Sequence, residues 1–302
     1  MPAFILIMGL FAPAGAGAID WAAVPEREVR VFHTGQASYE WMLVEADHSG
    51  GPKIRKGKTC VDCHADEEQK IGELIAKGEK AEPEPERVSL AWSPIRVQFA
   101  RDSERLYVRL RWEASGRGSQ KSRVSLLFDD GSVSAVALTG CWSACHADLP
   151  EMPHANGGAE LTKYLVASRT KVGRRGGGEN YKAAAELDAL LDEGKFLEFW
   201  SAELKAGAAP VVTDGWVLEK RHERAAPHVT AEGGRVGDDW IVVVSRTLAA
   251  PGSDSKAFVT DRTYTFGISV HDGDDDGRFH RVSLEHRLAL DGREADFNAG
   301  MQ

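Results

Sequence analysis

The sequence predicts a mainly β protein whose main body is an antiparallel β-sandwich. Short runs with an apolar residue at every second position recur along most of the chain, as in LYVRLRW and HRVSLEHRLAL, and this alternation is typical of strands with one buried face. Turns rich in Gly, Asp and Ser separate the runs, which favours antiparallel connections. One long interruption breaks the pattern at 139–195 and predicts an insertion that carries a function.

Eight strands are predicted from the alternating runs. They lie at 96–99, 105–112, 123–128, 133–138, 216–220, 240–245, 264–270 and 281–290. By contrast, residues 21–78 are short of alternation, so no strand is predicted there.

Two helices are predicted from apolar residues at helical spacing. In EEQKIGELIAKG, at 67–78, Ile71, Leu74 and Ile75 recur at this spacing. In YKAAAELDALLDEGK, at 181–195, the leucines gather on one side and Gly194 is the expected stop. The second helix belongs to the insertion.

The chain is expected to consist of a leader and two structural parts. Residues 1–18 carry no charge, are apolar in the middle and end in small residues, which is typical of a secretory signal peptide too short to span a bilayer. We therefore expect export to the periplasm, with no transmembrane segment in the mature chain. Residues 19–80 are expected to form a small N-terminal segment, and residues 81–302 the sandwich, with the charged, proline-punctuated stretch 77–87 as a linker.

The composition narrows the classes of partner. A formal net charge of −9 argues against nucleic acid and anionic membranes, because both require clustered Lys and Arg. It favours a protein partner with a basic docking patch. A hydrophobic content of 42% is that of a globular protein with a real core.

The four cysteines fall into two short-range pairs, each followed directly by histidine. The motifs are CVDCH, with Cys60, Cys63 and His64, and CWSACH, with Cys141, Cys145 and His146. With 10 His among 302 residues, the probability that both following residues are His by chance is roughly one in a thousand. The pattern therefore requires a chemical explanation.

Covalent haem attachment explains both motifs. Two thiols held at the spacing of the haem vinyl groups form thioethers, and the adjacent histidine becomes the proximal iron ligand. CVDCH has the standard spacing for a c-type haem, whereas CWSACH has one more residue between its cysteines, which a slight bulge of the backbone accommodates. A local disulfide and half of a zinc site are the alternatives. The sequence thus predicts two covalently bound haem c groups.

A family resemblance rests on motifs spread over most of the mature chain. These are GQASYEWMLVEADHSG followed by IRKGKTCVDCH, then LYVRLRW, GCWSACH, FWSAEL, FGISVHDG and RFHRVSLEH. The chain resembles the haem-binding domain of ethylbenzene-dehydrogenase gamma subunits and related DMSO-reductase-type proteins, in its periplasmic dihaem c-type branch. The resemblance implies a DOMON-like β-sandwich that holds one haem, with a haem-bearing N-terminal extension. The gamma subunits hold a b-type haem by Met and Lys, but Ser201 stands at the position that best matches the Lys, so that ligation is not carried over.

The sixth ligand of each iron is the least determined part of the prediction. His48 is favoured for the first haem, because it lies close to CVDCH in the matching DHSG stretch. His280, in RFHRVSLEH, is favoured for the second haem. His33, His271 and Met152 remain as alternatives.

These features predict a periplasmic dihaem cytochrome that carries electrons between a quinol-linked membrane cytochrome and a terminal reductase or similar acceptor. Two alternatives stay open: a haem subunit of a molybdenum oxidoreductase complex, and a haem enzyme with one open iron site. Axial ligation matters to the choice, because saturated irons transfer electrons without binding substrate.

The run DGDDDG, at 272–277, matches the opening of a calcium loop. Ser283 stands where the closing Glu of such a loop is required. A tight acidic turn is the alternative to a calcium site.

Overall fold

Antiparallel strands dominate the computed structural model of the protein, which describes residues 19–114, 120–145, 165–170, 181–273 and 277–302. The strands, β1 to β14, are Arg27–His33, Trp92–Arg101, Arg105–Glu113, Lys121–Asp129, Leu197–Lys205, Val211–Val217, Arg221–Glu223, Thr230–Val236, Asp239–Thr247, Thr263–Asp272, Arg281–Val282, His286–Ala289, Phe297–Asn298 and Gly300–Met301. The helices, α1 to α6, are Tyr39–Met42, Gly51–Ile54, Val61–His64, Glu68–Ala76, Ser134–Thr139 and Ala184–Asp192. Short 3₁₀ helices lie at Pro85–Arg87, Gly140–Ala144 and Val166–Ser168.

The strands form one hydrogen-bonded sheet that folds over on itself. Its order is β7-β6-β5-β4-β10-β11-β1-β2-β3-β9-β8; of the short strands, β12 pairs with β10 and β13, and β14 pairs with β2. Apolar side chains from β2, β3 and β9 meet those from β4, β5 and β10 in one core. The two halves of the sheet are thus the layers of a sandwich, and the predicted fold class is confirmed.

Strand β4 has one face in the sandwich core and another face that lines a pocket. Val124, Leu126 and Phe128 are buried in the sandwich core, whereas Arg123, Ser125 and Leu127 are half-buried. Because side chains along a strand point alternately to opposite faces, these three residues are directed away from the core. This outer face is the floor of one of the pockets described below.

Both predicted helices are present, with ends close to the expected ones. Helix α4 spans Glu68–Ala76, and α6 spans Ala184–Asp192. The Glu186 carboxylate accepts a hydrogen bond of 3.2 Å from the Ala183 N–H at the start of α6, and Gly194, at φ +73°, follows its end. Glycine adopts this left-handed backbone conformation without steric cost.

The strand predicted at 133–138 is wrong, because Ser134–Thr139 is helical. The side chain of Asp129 accepts the N–H groups of Gly131 and Val133, which turns the chain sharply after β4. Ala135, Val136 and Thr139 then lie on the buried side of the helix. The alternating pattern of VSAVAL was therefore misleading, since three buried positions one turn apart can produce it in a short helix.

Further differences concern missed strands and strand boundaries, and Leu197–Lys205 and Thr230–Val236 are strands that were not predicted. Arg27–His33 is a strand between β11 and β2, although no strand was predicted in the N-terminal segment, so residues 19–80 contribute to the sheet. The strand predicted at 216–220 lies earlier, at Val211–Val217. The strand predicted at 281–290 is broken into β11 and β12, because an extra residue opposite β10 shifts the register between the pairs Ser269–Val282 and Phe266–His286.

The predicted signal peptide, residues 1–18, lies outside the described residues. Within the described ranges, no helix is long and apolar enough to cross a bilayer.

Candidate haem-binding pockets

The first cysteine motif forms a single helical turn. Thr59 and Asp62 exchange hydrogen bonds of 3.0 Å, each side chain accepting the other residue's N–H, and this reciprocal capping starts α3. Cys60, Cys63 and His64 follow at positions i, i+3 and i+4, which lie on one face of a helix. The local sequence therefore places both sulfurs and the imidazole on the same side.

His48 lies opposite His64. The two ring centroids are 6.0 Å apart, with an angle of 35° between the ring planes. In each ring Nδ1 faces an acceptor: Nδ1–H of His48 donates to the Met42 carbonyl at 2.9 Å, and Nδ1–H of His64 donates to the Glu67 carboxylate at 3.2 Å. These bonds leave the Nε2 lone pair of both rings available, which is the arrangement usual for metal-bound histidines.

The spacing of these rings suits one metal ion bonded to both. Metal–imidazole nitrogen bonds of about 2.0 Å separate two trans ring centroids by about 6 Å. Burial lowers the pKa of His48, so its imidazole is neutral at neutral pH, as ligation requires. His48 and His64 together therefore fit the axial positions of a six-coordinate haem iron.

A mostly apolar pocket surrounds the two histidines. Its volume is about 350 Å³, which is within the range of roughly 300–1,000 Å³ for small-molecule sites. The apolar side chains that line it include Phe32, Trp41, Met42, Ile54, Ile71, Leu74, Ile75, Trp142 and Leu284. Cys60, Cys63, His48 and His64 line it as well. We call this cavity the first pocket.

The thiol of Cys60 lies at the wall of the first pocket beside a buried carboxylate. Burial, and then the nearby Glu285, raise the pKa of Cys60. Glu285 is itself buried, and its Oε1 accepts the Val61 N–H at 2.8 Å, fixing the start of α3. A neutral thioether suits such a buried position, whereas a thiolate does not.

The second cysteine motif follows a different local path into a different cavity. Cys141 lies in the 3₁₀ helix Gly140–Ala144, and Cys145 follows its end with extended backbone. The N–H of Tyr39 donates to the Cys145 carbonyl at 2.8 Å, which anchors the loop to α1. Both sulfurs line one pocket despite the extra residue between them.

The second pocket has a volume of about 350 Å³, and its floor is the outer face of the sheet. The lining side chains of β4 and β10 are Arg123, Ser125, Leu127, Ser269 and His271. The two serines are small and leave the middle of the floor flat. Burial raises the pKa of Cys145 to about 12, so this thiol is also neutral.

Gly267 receives the sulfur of Cys141 at one end of that floor. A Cβ at this position would lie 2.3 Å from the Cys141 Sγ, and no side chain tolerates so short a contact. The glycine thus allows the attachment loop to lie directly on β10.

Two histidines line the second pocket. The rings of His271 and His280 are stacked, with centroids 4.6 Å apart and an angle of 12°. Nδ1–H of His280 donates to the Gly277 carbonyl at 2.9 Å, which leaves Nε2 free. Burial lowers the pKa of His280 to about 4, so its ring is neutral. Nδ1 of His271 is buried and has no hydrogen-bond partner among the described residues.

Of the other predicted ligands, two lie outside the described ranges and one lies away from both pockets. His146 and Met152 fall outside the described residues. His33 is buried, bonds to the Glu82 carboxylate at 2.7 Å and lines neither pocket. Burial lowers the pKa of His33, so this contact is a structural hydrogen bond to Glu82.

The two pockets are adjacent. Trp142, from the second motif, lines the first pocket, while its neighbour Cys141 lines the second. Ala37 lines both. The N–H of Cys60 bonds to the Leu138 carbonyl at 3.1 Å, so the two motifs are also joined by backbone. One layer of residues therefore separates the cavities.

The geometry gives little support to the alternative readings, which are a disulfide, a zinc site and a calcium site. All four cysteines are free thiols, and within the described ranges no three His, Cys, Asp or Glu side chains cluster as a metal site. At the candidate calcium loop, Asp272 is ion-paired with Arg281 and accepts the Ser122 hydroxyl at 2.7 Å. The following residues 274–276 lie outside the described ranges.

Several residues of the site carry no signal in the sequence. The Met42 carbonyl orients His48 through backbone alone, and Glu285 reaches α3 from 224 residues away along the chain. Trp142 could be recognised only as an aromatic packing residue. Their roles depend on contacts that the fold creates.

Comparison with known proteins gives two relatives that match over nearly their whole length. The chain is 31% identical over 311 aligned positions to cytochrome c-552 of Stutzerimonas stutzeri, covering 99% of this chain and 96% of that protein. It is 29% identical over 295 positions to cytochrome c-551 of Rhodocyclus tenuis, covering 94% and 99%. No protein-family model matches the chain.

Solved structures give weaker likenesses. A carbohydrate-binding module of family 9 from Caldicellulosiruptor kristjanssonii, in complex with cellotriose, aligns with a TM-score of 0.27 at 8% identity, covering 64% of this chain and 65% of that one. A putative carbohydrate-binding protein from Bacteroides uniformis aligns with a TM-score of 0.30 at 8% identity, covering 68% and 73%.

Proposed function

Because the chain belongs to the c-type cytochrome family that includes cytochrome c-552 of Stutzerimonas stutzeri, and so binds haem c covalently, we propose that it is a dihaem electron carrier of the periplasm. One observation carries the number of haems: each cysteine pair lines its own pocket, and each pocket contains a histidine with a free Nε2. Haem c supplies a one-electron couple at its iron. The contribution of the protein is to hold the haem and to provide the ligands of its iron.

In the first pocket, Cys60 and Cys63 would form the thioether tethers, and His64 and His48 would bind the haem iron. The ring spacing of 6.0 Å and the two Nδ1–H bonds support this assignment. The acceptors of those bonds, the Met42 carbonyl and Glu67, hold each ring in one tautomer. Neither axial position is then open to a substrate.

In the second pocket, Cys141 and Cys145 would form the thioether tethers, and His146 and His280 would bind the iron. The free Nε2 of His280, fixed by the bond from its Nδ1–H to Gly277, supports this choice. His271 is the alternative, because it lines the same pocket and stacks on His280.

The placement of the pockets favours electron transfer within the chain and out of it. Only one layer of residues, including Trp142 and Ala37, separates them. Cys63 lines the first pocket and is exposed to solvent, and Val61, in the same helix, is exposed as well. We infer that partners exchange electrons at this exposed edge of the first pocket, and that Trp142 and Ala37 lie on the route between the pockets. The proposed donor is a quinol-linked membrane cytochrome, and the proposed acceptor a terminal reductase.

Spectroscopy in the presence of external ligands tests the carrier function. The purified protein is expected to contain two covalent haems by intact mass and pyridine haemochrome analysis, both low-spin. Cyanide and carbon monoxide are expected to leave the visible spectrum unchanged, because histidine fills every axial position. A high-spin component that binds carbon monoxide would instead indicate an enzyme with an open iron site. Co-purification with a large catalytic chain would indicate a subunit of a molybdenum enzyme.

Paired histidine variants test the ligand in the second pocket. Replacing His280 with alanine is expected to convert one of the two haems to a high-spin form, since the sixth bond is lost. Replacing His271 with alanine is expected to leave both haems low-spin. Electron paramagnetic resonance of the ferric protein measures the spin states. The opposite pattern would assign the iron to His271, and two low-spin haems in both variants would contradict the assignment of His280 as the required ligand.

A further inference from the structure

The charged side chains of the second pocket are all cationic among the described residues. Arg123, Arg221 and Arg278 line it, and no Asp or Glu from the described ranges does so. This is unusual in a chain with a formal net charge of −9. The lining of the first pocket, by comparison, mixes Glu45 and Asp47 with lysines. A cationic cavity half-shielded from water favours an occupant with negative charge.

Two of the three arginines already have carboxylate partners. Arg278 is buried, contacts Glu82 and pairs with Glu84 at 2.7 Å. Arg221 pairs with Glu223 at 3.0 Å, and its guanidinium lies 4.2 Å from the centre of the Phe199 ring. These contacts account for their positions without any ligand.

Arg123 differs from both. It is half-buried on the outer face of β4, and no hydrogen bond or ion pair joins its side chain to any residue in the described ranges. A guanidinium carries five N–H donors in a planar fork that matches a carboxylate. Arg123 is thus a carboxylate-binding group directed into a cavity that provides no carboxylate from the described chain.

The strand register gives the distance between Arg123 and the attachment end of the pocket. Gly267, which receives the Cys141 sulfur, pairs with Leu127, and His271 pairs with Arg123. Four residues along a strand span about 13 Å, at about 3.3 Å per residue. The tether and the guanidinium therefore lie at opposite ends of the pocket floor.

We propose that Arg123 binds a propionate carboxylate of the haem tethered by Cys141 and Cys145, and so fixes the orientation of that haem in the second pocket. This inference rests on the proposed function. The two propionates of haem c lie on the edge of the macrocycle opposite to the edge that forms the thioethers. The pocket presents the same polarity, with sulfurs at the Gly267 end and Arg123 at the His271 end. Ser125 and Ser269, between these ends, leave room for a flat group.

The proposed contact has a consequence for the redox potential. A guanidinium that binds a propionate offsets its negative charge, and this favours the reduced state of the nearby iron. Removing the contact disfavours reduction. The effect is confined to the second haem, because Arg123 does not line the first pocket.

Redox titration of arginine variants tests the proposal. Arg123→Gln is expected to lower the reduction potential of one of the two haems by at least about 59 mV, which corresponds to a tenfold change in its one-electron reduction equilibrium. The affected haem is expected to be the one that His280→Ala changes. Arg123→Lys keeps the charge but loses the planar fork, so an intermediate shift is expected. Arg109→Gln is the matched control, since Arg109 is half-buried on β3, bonds to Gln98 and lines neither pocket.

Resonance Raman spectroscopy separates a direct contact from a long-range charge effect. The propionate bending band of one haem is expected to shift in both Arg123 variants and to stay in place in Arg109→Gln. An unchanged band in Arg123→Gln, or equal potential shifts of both haems, would overturn the proposal. If two covalent haems are present and neither potential moves, only the role of Arg123 fails. If the unaltered protein contains one covalent haem, the proposed dihaem function itself fails.

Discussion

Replacing both Cys141 and Cys145 with alanine is expected to reduce the covalently bound haem from two groups to one. In the proposed dihaem protein, the two thioethers would be the covalent links between the second haem and the chain, so removing both sulfurs would leave at most a non-covalent haem in that pocket. Intact mass spectrometry of the denatured protein counts the remaining groups. Pyridine haemochrome analysis after acid–acetone extraction gives the same count independently.

Two control variants make the haem count specific. Ser143→Ala alters the same loop, where the Ser143 hydroxyl donates to the Gly140 carbonyl, but keeps both sulfurs, and it is expected to retain two haems. The double variant Cys60→Ala with Cys63→Ala is expected to lose the other haem. An unaltered protein whose mass corresponds to a single haem would refute the second attachment site.

Replacing His48 with alanine is expected to convert the first haem from low-spin to high-spin and to create one binding site for carbon monoxide per molecule. The ring of His48 is the group that faces His64 across the first pocket, so its removal opens one axial position. The change should be visible in the ferric absorption and paramagnetic resonance spectra of half of the haem. The second haem is expected to stay low-spin.

Replacing His48 with methionine tests the same assignment through the reduction potential of the first haem. Histidine–methionine ligation raises the potential of a haem, and axial ligands as a class span about 0.8 V. One of the two potentials is therefore expected to rise by more than about 59 mV, a tenfold change in equilibrium. His222→Ala is the control, because His222 stacks on Trp216, bonds to Glu219 and lines neither pocket. If His48 variants keep two low-spin haems with unchanged potentials, His48 is not a ligand.

Much of the fold could be predicted from local pattern, and its exceptions have local causes. Alternation identified β3, β4, β9 and β10, since each has one face in the core. It failed at Ser134–Thr139, where Asp129 caps a turn and a short helix buries the same apolar residues. It also failed at β1, whose partners β2 and β11 come from far along the chain.

The candidate site likewise has one part that local sequence predicts and another part that only the fold positions. Cys60, Cys63 and His64 share a helical face because of their spacing, so local sequence is sufficient to bring them together. The proposed second ligands are different. His48 faces His64 because α1 and α2 fold back over α3, and His280 reaches the Cys141 pocket only through the pairing of β10 with β4 and β11.

The sequence by itself determined the attachment chemistry, the β-sandwich class and a net charge of −9 that argues against nucleic acid as a partner. These properties depend on residue types and on spacings within one turn or one strand. Only the tertiary structure decided that the two cysteine motifs line separate, adjacent pockets and that Trp142 lies between them. It also decided that Arg123 lies at the end of the second pocket opposite to Cys141. Such contacts join residues far apart in sequence, and they are fixed by strand register and packing, which no local pattern encodes.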